Sequence, residues 1–158
     1  MTMVSSGRGR SDAPVATERT STADIWARFG DVGRAGLLGA ALLLPLRRRD
    51  SDASFDALTA ILASSATCKA VKPFVPEQRP NGEDNNAFPS QHAAECFAAG
   101  LALKRLMGDP AGALGVGAST LVAMSRLFAR KHRTVDVVAG IVIGATATIG
   151  VCALKGRE

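Results

Sequence analysis

From Val137 to Leu154 the chain runs for 18 residues without a charged side chain. A helix of that length is about 27 Å long, close to the ~30 Å hydrocarbon thickness of a bilayer. Two further uncharged runs are shorter: Pro110 to Ser125 has 16 residues and Ala35 to Leu46 has 12. Ala and Gly carry much of their apolar character, while aromatics make up 4% of the chain, with no Tyr and one Trp. Small residues let helix backbones approach closely, as they do in membrane bundles. The expected fold is therefore all-α, an antiparallel bundle of about five helices embedded in a membrane. A mean hydropathy of +0.14 fits short spans with polar tails.

Breakers divide the chain further. Residues 1–22 are rich in Ser, Thr, Arg and Gly without apolar periodicity and are expected to form a disordered tail. No hydrophobic signal-peptide core follows the start. The single helical domain is expected over residues 23–158. Its first segment opens with a short amphipathic piece, Ile25-Trp26-x-x-Phe29, and continues into the run that Arg47-Arg48-Arg49 stops. Twelve residues are short for a span, so an interfacial or tilted placement is open. Helices are expected at about 54–72, 89–107, 110–129 and 134–154, with Gly108-Asp109-Pro110 as a clear break. Asp56, Lys69 and Glu95 fall inside the second and third, where the bundle must shield them.

The net charge of +5 favours acidic partners: phosphates, anionic lipid or nucleic acid. Nucleic acid is set aside, because no binding motif or interleaving of aromatic and basic residues is present. Cys68, Cys96 and Cys152 are odd in number and widely spaced, which suits small buried apolar residues rather than a disulfide or zinc framework.

Three polar stretches interrupt this apolar background: Lys72-x6-Arg79-Pro80, Pro89-Ser90-Gln91-His92, and Ser125-Arg126-x5-His132-x3-Asp136. Both histidines of the chain lie within them. Adjacent helices joined by short loops are antiparallel, so the end of the second helix, the start of the third, the end of the fourth and the start of the fifth share one end of the bundle. All three stretches converge there. Pro89 is expected at the first helical position, leaving the N–H groups of Ser90, Gln91 and His92 to face an anion. Lys72, Arg79 and Arg126 supply point charge and planar forks suited to phosphate oxygens. His132 and Asp136 are four residues apart, so a carboxylate can fix the imidazole tautomer and leave the other nitrogen free to attack. His92 is a second imidazole, suited to protonating a leaving alkoxide.

These residues resemble the type 2 phosphatidic acid phosphatase superfamily, which includes vanadium haloperoxidases and bacterial class A acid phosphatases. Its pattern is Lys-x6-Arg-Pro, Pro-Ser-Gly-His and Ser-Arg-x5-His-x3-Asp. The first and third are matched fully, and the second at three of four positions. The resemblance implies that Lys72, Arg79 and Arg126 bind phosphate with Ser90 and the N–H of Gln91. It makes His132 the nucleophile of a phosphohistidine, Asp136 its orienter, and His92 the leaving-group acid. It implies neither metal nor cofactor.

Two departures stand out. Gln91 replaces a Gly, where its side chain either crowds the phosphate or adds a donor. Arg133, with Arg130 and Lys131, forms a basic collar, suited to a further phosphate, an anionic lipid or a membrane surface. The function expected is a membrane lipid phosphatase acting on a phosphomonoester or diphosphate of phosphatidate or isoprenyl type. A soluble acid phosphatase or vanadate-dependent haloperoxidase, and a non-enzymatic lipid-binding protein, are the alternatives. Expected partners are a phosphorylated lipid substrate and membrane lipid, with a homo-oligomer allowed. Expected localisation is an integral membrane protein (the cell membrane, in a bacterium). Seven Lys and Arg lie near each bundle end, three of the site-end set belonging to the site itself, which weakly favours a site facing away from the cytoplasm.

Overall fold

A computed structural model describes residues 21–156. It contains five α-helices: α1 Thr22–Arg47, α2 Ser51–Val71, α3 Gln91–Met107, α4 Ala111–Phe128 and α5 Thr134–Leu154. A short 3-10 turn, Lys72–Phe74, follows α2. Among the described residues there is no sheet, only an isolated bridge between Glu77 and Asn86. The tail expected over residues 1–22 lies outside the described residues except at Ser21 and Thr22, which already belong to the start of α1.

That start is a local capping signal. Ser21 Oγ accepts the Asp24 N–H at 3.1 Å, and Asp24 returns a bond to the Ser21 N–H at 3.0 Å. The first apolar run is thus the second half of one continuous helix of 26 residues, long enough to span. Asp50 caps α2 through the Ala53 N–H. Gly108, at φ 66°, ends α3 in a conformation that glycine adopts without strain.

Helix α3 is the axis of the bundle. It packs on all four others, which surround it in the order α4, α1, α2, α5. Its inner faces are Ala93, Ala94, Cys96, Ala98, Ala99 and Ala102, all buried. The three cysteines are buried and free. Gly140 and Gly144 of α5 face this surface: a Cβ at Gly140 would lie 2.3 Å from the Ser90 carbonyl oxygen, and one at Gly144 2.2 Å from that of Ala94. Only glycine permits that approach.

The large apolar side chains point the other way. Leu43, Leu62, Leu114, Leu121, Val135, Val142 and Ile149 are exposed, while the core is mostly Ala, Gly, Ser and Cys, with Leu37, Ile61, Leu103, Val122 and Val137 among them. A water-soluble bundle has the reverse arrangement. Helices α1, α4 and α5 are each long and apolar enough to cross a membrane. The charges of α2 and α3 are handled within the bundle: Asp56 pairs with Lys155 and Glu95 with Arg34, while Lys69 stays exposed.

Candidate active site

The ends of α2, α3, α4 and α5 meet as the alternation of helices requires, and the start of α1 joins them. Here Arg34, Lys72, Arg79, Gln91, His92 and His132 line one cavity of about 280 Å³.

Lys72 follows α2 directly, and its Nζ donates to the carbonyls of Asn86 at 2.6 Å and Pro89 at 3.2 Å. Burial lowers its pKa, and the nearby Arg79 charge adds to that. Arg79 is steadied by Asp84, which accepts its Nε at 2.7 Å. The loop between them is ordered by its own polar groups: Ala87 N–H donates to Glu77 O, and Asp84 Oδ1 also accepts the Asn86 N–H.

The start of α3 differs from expectation. Pro89 precedes the cap rather than opening the helix; Ser90 is the N-cap and Gln91 the first helical residue. The Ser90 N–H is used, donating to Asp136 O at 2.9 Å. The free first-turn donors are therefore those of Gln91, His92 and Ala93. Ser90 Oγ is buried with no hydrogen-bond partner among the described residues. Gln91 adopts no positive φ, so replacing glycine introduces no backbone strain. Its amide turns sideways, donating to Ser65 Oγ at 2.9 Å and Glu95 Oε1 at 2.7 Å.

His132 sits just before α5, buried. Its Nδ1 lies 2.7 Å from the carbonyl oxygen of Ala87. A carbonyl only accepts, so the neutral ring carries its proton on Nδ1 and its lone pair on Nε2. Burial pushes the His132 pKa down to about 3, with the Arg79 charge acting in the same direction. Asp136 is 3.8 Å from Nδ1, beyond hydrogen-bond length, and its Oδ2 instead accepts the Arg133 N–H at 2.7 Å. The helix starts at Thr134, too late to give the pair the helical register that sequence spacing suggested. The tautomer is set by a backbone group, with the carboxylate behind it.

Arg126 is brought near but does not line the cavity. It is 1% exposed and held by α1: Nη1 donates to Asp31 Oδ1 at 3.0 Å and Nη2 to Ala27 O at 2.5 Å. His92 meets the same carboxylate, with Nε2 2.9 Å from Asp31 Oδ1. The collar is also partly spent. Lys131 pairs with Glu83 and Arg133 with Glu77, tying the α4–α5 turn to the α2–α3 loop.

Sequence reasoning missed Asp31, Arg34, Glu95 and the Ala87 carbonyl. Arg34 Nε donates to buried Glu95 at 2.5 Å, placing a guanidinium of α1 at the cavity wall.

A bundle with its large apolar side chains outward and three helices long and apolar enough to span is the arrangement of a membrane protein. The chain belongs to the PAP2 superfamily, whose family model matches residues 53–157, and this membership makes it a phosphatase. No curated protein and no solved structure gives a significant match to the chain.

Proposed function

We propose that this phosphatase acts on a membrane lipid, hydrolysing a phosphomonoester or diphosphate of phosphatidate or isoprenyl type through a phosphohistidine. The observation that carries this reading is the cavity itself. Two cations and two imidazoles from three separate motifs line one volume at the end of an apolar bundle. A substrate whose tail lies among the helices would present its phosphate there.

In this mechanism Lys72, Arg79, Ser90 Oγ and the first N–H groups of α3 hold the phosphoryl oxygens. Arg126 stands outside this cradle, its guanidinium held by Asp31 and the Ala27 carbonyl. The Nε2 lone pair of His132 forms a bond to phosphorus as the bond to the leaving oxygen breaks. The electron pair of that bond goes to the leaving alkoxide, which takes a proton from His92. Water then attacks phosphorus, returns a proton to His92, and expels His132 with its lone pair restored. The cationic cradle supplies the charge stabilisation, and no metal enters the scheme. Among the described residues no three His, Cys, Asp or Glu side chains gather as metal ligands would.

The test of function is release of inorganic phosphate from phosphatidate or an isoprenyl diphosphate in detergent, with excess chelator, and its block by vanadate. His132→Ala should abolish release; undiminished activity in that variant would overturn the mechanism.

A further inference from the structure

The family match begins at residue 53, yet α1, which precedes it, reaches into the site. At Gly30 the helix presses onto α4 so closely that a Cβ would lie 2.0 Å from Arg126 Nη2 and 2.2 Å from Ser125 Oγ. Trp26 packs on Phe128 beside this contact, ring centroids 4.9 Å apart. The next residue after Gly30 is Asp31. Its Oδ1 is shared by Arg126 Nη1 at 3.0 Å and His92 Nε2 at 2.9 Å. Arg126 thereby anchors the carboxylate, and the carboxylate meets the imidazole.

We propose that Asp31 is the positioning residue of the His92 proton donor. A carboxylate only accepts, so Nε2 carries a proton and Nδ1 is the working nitrogen, the one without a protein partner among the described residues. His92 lines the cavity, and in the proposal this nitrogen serves the leaving oxygen. Burial and the Arg126 and Arg34 charges push the His92 pKa down to about 4, and the Asp31 carboxylate works against them, favouring the imidazolium that must exist before the proton is given up and after it is recovered from water. Asp31 touches neither substrate nor phosphorus in this scheme. The proposal rests on His92 being the donor, as in the proposed function.

Leaving groups separate the possibilities. A long-chain alkyl phosphate expels a basic alkoxide and needs the proton; p-nitrophenyl phosphate expels a weakly basic phenolate and needs it far less. The quantity to measure is kcat/KM for both in detergent, since it reports on phosphoryl transfer to the histidine. In Asp31→Ala the ratio of alkyl to nitrophenyl kcat/KM should fall about tenfold or more. Any effect of releasing Arg126 acts on both substrates and cancels in the ratio. Asp31→Asn keeps an acceptor oxygen at the same size, so its ratio should fall less; it also serves if the alanine variant does not fold. An unchanged ratio in both variants, whatever the common loss, would overturn the proposal, and so would a common gain with tighter phosphate inhibition, which would make Asp31 a competitor for the phosphate seat. His92→Ala is the separate arm. If its ratio does not fall, the donor itself is misassigned and the proposal goes with it.

Discussion

The carbonyl oxygen of Ala87 lies 2.7 Å from Nδ1 of His132, and this one bond leaves Nε2 as the nitrogen with a free lone pair. It comes from the segment leading into α3, so the loop that carries Arg79 and the helix that carries His92 are in register with His132. Ala87 is fully buried and its N–H is held by Glu77 O, which keeps the carbonyl in place.

His132 should stay neutral far below the ordinary imidazole range. Its pKa in the folded protein, about 3, lies below the ordinary imidazole value of 6.5, because burial disfavours the charged ring. Between those values the unfolded chain binds a proton that the folded chain does not, so this group's contribution to stability is full above pH 6.5 and is lost as pH falls toward 3. Imidazole resonances assigned with His132→Gln should show no titration of His132 down to pH 5 in the folded protein. A midpoint near 6.5 would contradict its burial.

Gln91→Gly tests the departure from the family pattern. The Gln91 amide is committed to Ser65 and Glu95, not to blocking the cradle. The variant should lose about 1–2 kcal/mol of stability through two lost hydrogen bonds, with no gain in phosphate release. A marked rise in kcat would show that the side chain obstructs the phosphate after all.

Helix contact distances predict a contrast along α5. Gly144→Val forces α5 away from the Ala94 carbonyl and should cost about 1–3 kcal/mol, with loss of activity as the start of α3 shifts. Gly150→Val meets no atom within 4 Å and should be close to neutral. Thermal unfolding in detergent compares the two; equal midpoints would rule out the close packing at Gly144.

Lys72→Met removes a charge from the cavity wall and two bonds to the loop backbone. Phosphate release should fall about 100-fold or more, with vanadate inhibition weakened in parallel. Unweakened vanadate binding would place Lys72 outside the phosphate seat.

Much of the fold was legible because charge-free runs and their breakers are local signals. Gly108-Asp109-Pro110 separates α3 from α4 where expected, and Arg47-Arg48-Arg49 closes α1. The Ser21–Asp24 capping box was readable too, but the apolar run beginning at Ala35 drew the helix as shorter than it is. The motif residues converge because alternating helices leave them no other end. Asp31 gave no signal: its partners His92 and Arg126 are 61 and 95 residues away, and a lone acid on an apolar helix has no spacing rule. The Ala87 carbonyl was invisible for a simpler reason, since every residue has one. Gln91 could be flagged from sequence, but its direction depended on Glu95 four residues on and on Arg34 from another helix.

The two ion pairs that join the α4–α5 turn to the α2–α3 loop, Arg133 with Glu77 and Lys131 with Glu83, have a consequence for how the site is held. They fasten the polar loop to the turn that carries His132, so the ordering entropy of that loop is met when the chain folds. In the proposed reaction the loop is therefore already in place when a phosphate arrives, and the binding energy is left for the phosphate. Both fastenings are partly solvent-facing, so rising ionic strength loosens them before it affects the buried His132.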